Sequence, residues 1–211
     1  MPTGYIVREG YPLIFGTAVL AAILWYRFGA VWAVIPFLLC CFFTFFFRNP
    51  SRIIDADERL LASPADGKVM DVSEVYEDLF LHEDCIKVTI FLSVFDVHVN
   101  RAPMAGNITF RQYSEGRFLP AYKDSVGYEN ERHSVGISNG THEILVTQIA
   151  GLLARRIVSW TDLGDNVEKG QLYGMIKFGS CTELFLPKGT EIYVEKGAHV
   201  SGGETVIGRL P

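Results

Sequence analysis

From Tyr11 to Phe47 the chain carries a single charged side chain, Arg27. It splits the stretch into two uncharged runs, residues 11–26 and 28–47. A membrane-crossing helix takes about 20 apolar residues. The second run meets that length and the first falls slightly short. No small-residue cleavage site follows, and two runs in tandem argue against a signal peptide. Residues 1–54 therefore read as a membrane hairpin or re-entrant anchor with its link, a buried core helix being the alternative. Arg8 precedes the first run, and Arg48 and Arg52 follow the second. The positive-inside rule places both termini on the cytoplasmic face of the cell's inner membrane.

Cysteine is scarce too. Of the four, Cys40 and Cys41 lie in an apolar run, and Cys85 and Cys181 are isolated. No CxxC spacing is present, which argues against a structural zinc site and a disulfide framework. We expect no metal. Basic residues are short supply after the anchor: residues 1–54 carry a net +3 and residues 55–211 a net −8, within an overall −5. An acidic domain of this kind is a poor partner for nucleic acid.

Helix signals are missing beyond residue 54, where no capped amphipathic run occurs. The segments CIKVTIFL (85–92), GNITFRQYSEG (106–116) and HEILVTQIAG (142–151) read as strands. Residues 55–211 are expected to form one mainly β domain. Residues 116–130 read as a long loop, of the length that is usually functional or mobile. A weak repeat links GDNVEKGQLYG (164–174) to GAHVSGGETVIG (197–208), each a strand, a tight turn and a strand. It resembles the hammerhead turns of biotinyl and lipoyl carrier barrels, and SPADGKV (63–69) resembles an entry strand of that barrel-sandwich. Carriers present a lysine at the hairpin tip; this chain has Gly179-Ser180 at the matching region.

Three stretches carry chemistry: SPADG with Asp66, FLSVFDVHVNRAP (91–103) with Asp96, His98 and Arg101, and FGSCTELFLP (178–187) with Gly179 and Ser180. A carboxylate, an imidazole and a hydroxyl are the parts of an activated serine. Each has an ordinary explanation as well: a turn aspartate, a half-buried histidine, a Gly-Ser turn. As a set, with the double apolar anchor, FFRNPSR (46–52), ENER (129–132) and IAGLLARRI (149–157), they closely resemble the short bacterial and archaeal phosphatidylserine decarboxylase proenzymes.

That resemblance implies self-cleavage between Gly179 and Ser180 into chains 1–179 and 180–211, which remain together as a heterodimer. His98, oriented by Asp66, would take the proton of Ser180. Ser180 would become a pyruvoyl group, the covalent cofactor that forms a Schiff base with phosphatidylserine. His98 would then protonate the carbon left by carbon dioxide, giving phosphatidylethanolamine. Longer members of the family have a second histidine three residues after the first; Arg101 stands there in this chain. Either His98 serves both steps or another residue serves one, His133 being a candidate. Arg101, Arg132, Arg155 and Lys177 are expected to receive the lipid's phosphate and carboxylate, with Arg156 pointing away from Arg155. Phe118, Tyr122 and Tyr128 are candidates for lipid contact. Two rivals stay open from the residues alone: a membrane-anchored carrier-like adaptor and a tethered serine hydrolase, both of which keep an intact chain.

Overall fold

The computed structural model describes residues 4–116, 130–151, 156–177 and 180–211. The chain divides into two compact units, Met1–Ser51 and Arg52–Pro211.

The first unit is helical. A short 3₁₀ turn, Arg8–Gly10, leads into α1 (Tyr11–Phe28), and α2 (Ala30–Phe46) follows. Gly29 separates them at φ +95°, a conformation that other residues rarely adopt. This break shortens the second apolar run: α2 has 17 residues, about 26 Å of helix against a hydrocarbon core of about 30 Å. The helical stretch Arg8–Phe28 has 21 residues. Among the described residues it alone is long and apolar enough to cross a membrane, by length and composition. Helices α1 and α2 thus have 18 and 17 residues, where the uncharged runs 11–26 and 28–47 have 16 and 20. Trp25, Phe28, Val31, Trp32 and Ile35 are each more than half exposed, apolar surface that water solvates poorly.

The second unit is mainly β. Its longer strands are β2 (Gly67–Glu77), β3 (Glu83–Leu92), β5 (Gly106–Ser114), β6 (Arg132–Ser138), β7 (Glu143–Ala150) and β11 (Ser180–Pro187). Shorter ones are β1 (Leu60–Ala62), β4 (Val99–Arg101), β8 (Ile157–Ser159), β9 (Asn166–Val167), β10 (Leu172–Ile176), β12 (Glu191–Ile192), β13 (His199–Val200) and β14 (Val206–Arg209). Of the three segments read as strands, 85–92 lies within β3, and 106–116 and 142–151 contain β5 and β7. The large sheet runs β13-β2-β3-β11-β7-β6-β5-β9, and two small sheets run β1-β14-β12 and β4-β10-β8. Alternate residues build the core, as the strand period requires. Val88 and Ile90 of β3, Leu184 and Leu186 of β11, Ile144 and Val146 of β7, and Val135 and Ile137 of β6 are all fully buried.

The repeat is real at the level of backbone conformation. Gly164 and Gly197 (φ +90° and +99°) and Gly170 and Gly203 (φ +77° and +83°) occupy equivalent left-handed positions. Val167 and Val200 lie midway and are buried. A Cβ at Gly170 would strike Ile54, and one at Gly203 would meet Arg101 and Ile54, so Ile54 packs against both turns.

The segment after residue 179 is woven through the whole domain. β11 lies between β3 and β7, β13 pairs with β2, and β14 pairs with β1. Residues 117–129, which include Phe118, Tyr122 and Tyr128 of the expected loop, lie outside the described residues.

Candidate active site

Ser180 begins β11, paired with Leu92 on one side and Ala150 on the other. Alternation turns Ser180, Thr182, Leu184 and Leu186 to the core face. The serine is fully buried and, among the described residues, its Oγ has no hydrogen-bond partner. A buried hydroxyl without a partner costs roughly 1–3 kcal/mol, and such groups in folded proteins call for an explanation. Gly179 lies outside the described residues.

His98 is also fully buried. The tight turn before it forms because the Asp96 carboxylate accepts the Ser93 amide at 2.7 Å. The main-chain carbonyl of Asp96 then lies 2.9 Å from His98 Nδ1. A carbonyl only accepts, so Nδ1 carries the hydrogen and Nε2 is the basic atom of the neutral ring.

Strand pairing and hydrogen bonds link the neighbours of the two residues. The Ile176 amide donates to the His98 carbonyl at 3.2 Å. The Asn100 side chain donates to Thr182 Oγ1 at 3.1 Å. Asn100 pairs with Gly174 in register, and both Gly174 and Asn100 abut the Gln148 side chain. The chain therefore leaves this point at Gly174, passes His98 at Ile176, and returns at Thr182. Ser180 precedes Thr182 on the same face of β11, as His98 precedes Asn100.

Asp66 has other partners. Arg52 Nη2 lies 2.9 and 2.7 Å from its two carboxylate oxygens, and the Gly202 amide donates to it at 2.7 Å. Arg52 Nη1 reaches Glu204 at 2.8 Å. The sequence reading has Asp66 orienting the His98 ring; in this structure the carboxylate is bonded to arginine, and the Asp96 carbonyl holds the ring. Burial pushes the Asp66 carboxyl up, while the Gly202 amide and Arg52 pull it back, with a net upward shift. Burial likewise opposes the Arg52 charge, but Glu204 and Asp66 outweigh it and raise its pKa. The close contacts and the amide donor argue for the ionised pair.

Among the described residues, the expected basic side chains Arg101, Arg132 and Lys177 have different surroundings. Arg101 Nη1 donates to the Gly170 carbonyl at 2.9 Å, and alternation along β4 turns it away from the face of His98 and Asn100. Burial, and then the nearby Arg52, lower its pKa. Arg132 lines a hollow on the outer face of the sheet with Lys87 and Glu183, opposite the face of Ser180. Lys177 follows β10, its amide bonded to the Arg156 carbonyl at 3.2 Å. Arg155 lies outside the described residues.

Sequence reading passed over several residues that support the site. Within ENER, Asn130 Nδ2 donates to the carbonyl of Ala150, the strand partner of Ser180, at 2.7 Å. Glu131 accepts the Ile157 amide at 3.1 Å. Thr147 and Gln148 interrupt a buried strand that is otherwise apolar from Ile144 to Ala150, and that interruption was the available signal. Gln148 Nε2 donates to Asn100 Oδ1 at 2.7 Å. His133, the proposed helper, is buried with both ring nitrogens engaged: Arg111 Nε at 3.1 Å and Gln148 Oε1 at 3.3 Å. Burial, and then Arg111, push its pKa down to about 4, so it is neutral near pH 7.

The family model described as phosphatidylserine decarboxylase matches residues 39–208. The phosphatidylserine decarboxylase proenzyme of Carboxydothermus hydrogenoformans is 52% identical over 208 residues, covering 96% of this chain and 95% of the relative. That of Symbiobacterium thermophilum is 49% identical over 210 residues, covering 98% and 96%. That of Syntrophus aciditrophicus is 44% identical over 207 residues, covering 97% of each.

Proposed function

The chain belongs to the phosphatidylserine decarboxylase family, and from that premise we propose that it cuts itself at Gly179-Ser180 and then decarboxylates phosphatidylserine to phosphatidylethanolamine. One observation carries the proposal: at the Gly-Ser junction of the motif, the Ser180 hydroxyl is fully buried and has no hydrogen-bond partner among the described residues.

His98 Nε2 takes the Ser180 proton, and Oγ attacks the Gly179 carbonyl carbon. The amide nitrogen of residue 180 leaves, taking a proton back, and an ester joins Gly179 to the Ser180 oxygen. Removal of the Cα proton of residue 180 expels the Gly179 carboxylate and leaves dehydroalanine. Its imine tautomer is hydrolysed by water, which releases ammonia and leaves a ketone. Residues 1–179 end in a carboxylate, and residues 180–211 begin with a pyruvoyl group.

The pyruvoyl group supplies an electron sink for loss of carbon dioxide, chemistry that belongs to the cofactor. His98 holds a proton at the site and delivers it to the carbon. Lys177 and Arg155 are proposed to receive the anionic head group, whereas Arg132 faces the outer side of the sheet. The apolar residues of α1 and α2 are proposed to anchor the enzyme beside its lipid substrate, with the second unit on the cytoplasmic side.

The two chains are proposed to stay together without a peptide link. Leu184, Leu186, Val200, Ile207 and Leu210 all belong to the common core, each worth roughly 1.5–3 kcal/mol of burial.

The test is the purified full chain with phosphatidylserine vesicles. We expect release of carbon dioxide and formation of phosphatidylethanolamine, both abolished by a carbonyl reagent such as phenylhydrazine and absent in Ser180→Ala. Decarboxylation by Ser180→Ala at the wild-type rate would refute the proposal.

A further inference from the structure

A single row of hydrogen bonds runs from the domain surface to β11. Asp162 accepts Arg111 Nη1 at 2.7 Å. Arg111 Nε donates to His133 Nε2, His133 Nδ1 meets Gln148 Oε1, Gln148 Nε2 donates to Asn100 Oδ1, and Asn100 Nδ2 donates to Thr182 Oγ1. The four inner members are fully or almost fully buried.

The row has one polarity, and Arg111 sets it. A guanidinium only donates. His133 Nε2 must therefore accept, which puts the ring hydrogen on Nδ1. Gln148 must then present its oxygen to His133 and its NH₂ to Asn100. Asn100 is left with its NH₂ toward Thr182, and the same NH₂ lies 3.3 Å from the Pro64 carbonyl. Each side chain has one orientation, fixed by a charge at the far end.

This row joins β6, β7, β4 and β11. Thr182, Gln148 and His133 are consecutive register partners on β11, β7 and β6. Asn100 ties β4, two residues after His98, to β11, two residues after Ser180. A buried polar row contributes little net stability over a well-packed apolar one, but it specifies alignment, because any slip leaves several groups unpaired. Sliding β11 by one residue would turn Thr182 away from Asn100 and Ser180 away from the core face.

We propose that Thr182, Asn100, Gln148 and His133, polarised by Arg111, are positioning residues that hold Ser180 in the alignment required for self-cleavage. The proposal rests on the self-cleaving reading. Self-cleavage is a first-order event within one chain, so its rate reports alignment directly.

The test uses the full chain made by cell-free synthesis with detergent micelles, followed by the appearance of the shorter chain on denaturing gels. Thr182→Val keeps the shape and removes the acceptor; Thr182→Ser keeps the acceptor. We expect Thr182→Val to cleave at least ten-fold slower than wild type and Thr182→Ser to cleave within about three-fold of it, after normalising to the folded fraction. Equal rates for wild type and Thr182→Val overturn the inference. So do equally slow rates for Val and Ser, which would mean that packing, and not the hydrogen bond, matters there. A wild-type chain that never cleaves instead overturns the self-cleaving reading itself.

Discussion

Arg52 Nη2 grips both carboxylate oxygens of Asp66, at 2.9 and 2.7 Å, with side chains only 11% and 16% exposed. Through Nη1 the same guanidinium reaches Glu204. Arg52 thus joins the SPADG loop to the segment that follows the proposed cut.

The first prediction concerns this pair. Arg52→Met leaves Asp66 charged and largely buried, and should cost about 3 kcal/mol, the low end for breaking a buried pair. Arg52→Met combined with Asp66→Leu should recover most of that loss, since neither variant charge remains. Urea unfolding of the three proteins in detergent checks it. A double variant no more stable than Arg52→Met would show that the pair is not the source of the loss.

A second prediction concerns His98. His98→Ala should slow self-cleavage by roughly a hundred-fold or more, the usual range for a general base. His98→Gln should be as slow, because an amide restores shape without basicity. Pulse-chase appearance of the shorter chain is the readout, and wild-type rates in both variants would remove His98 from the mechanism.

Acid should destabilise the domain through His133. Its folded pKa is pushed from 6.5 to about 4, so between those values the unfolded chain binds a proton that the folded chain excludes. Stability is therefore fully retained above about pH 6.5 and falls as pH drops toward 4, by on the order of 3 kcal/mol. His133→Gln lacks this titration. Melting temperatures measured from pH 7 to 4.5 should fall more steeply for wild type than for His133→Gln; parallel curves would contradict the assignment.

Gly174 gives a steric prediction. A Cβ there would lie 2.7 Å from the Val158 carbonyl oxygen and 2.9 Å from Gln148 Nε2. Gly174→Ala must shift backbone and displace the Gln148 amide, at a cost of about 1–3 kcal/mol. It should also slow self-cleavage beyond what lost folding accounts for. Thermal melts combined with cleavage rates separate the two effects, and an unchanged rate in the folded fraction would sever Gln148 from Ser180.

Much of the fold is legible in the residues. The strands β3, β5 and β7 show in runs of apolar and β-branched residues, and the repeat shows in the spacing of Gly164, Val167 and Gly170 against Gly197, Val200 and Gly203. Gly29 was harder to weigh, because a helix break depends on backbone conformation and not on hydropathy. Ser180 and His98 could be named from motifs, since chemistry restricts which residue types serve. The partner of Asp66 could not. Arg52 is distant in sequence from Glu204 and Gly202, and only the closed fold puts them around one carboxylate. The row from Arg111 to Thr182 was likewise hidden: its members lie on separate strands, and no spacing in the sequence links them.

The most direct measurement is the intact mass of the purified full-length protein under denaturing conditions. The account predicts two chains, residues 1–179 and residues 180–211, the shorter one blocked at its N-terminus with pyruvoyl in place of Ser180. A single uncut chain of 211 residues with Ser180 intact, in a preparation that decarboxylates phosphatidylserine, would contradict it.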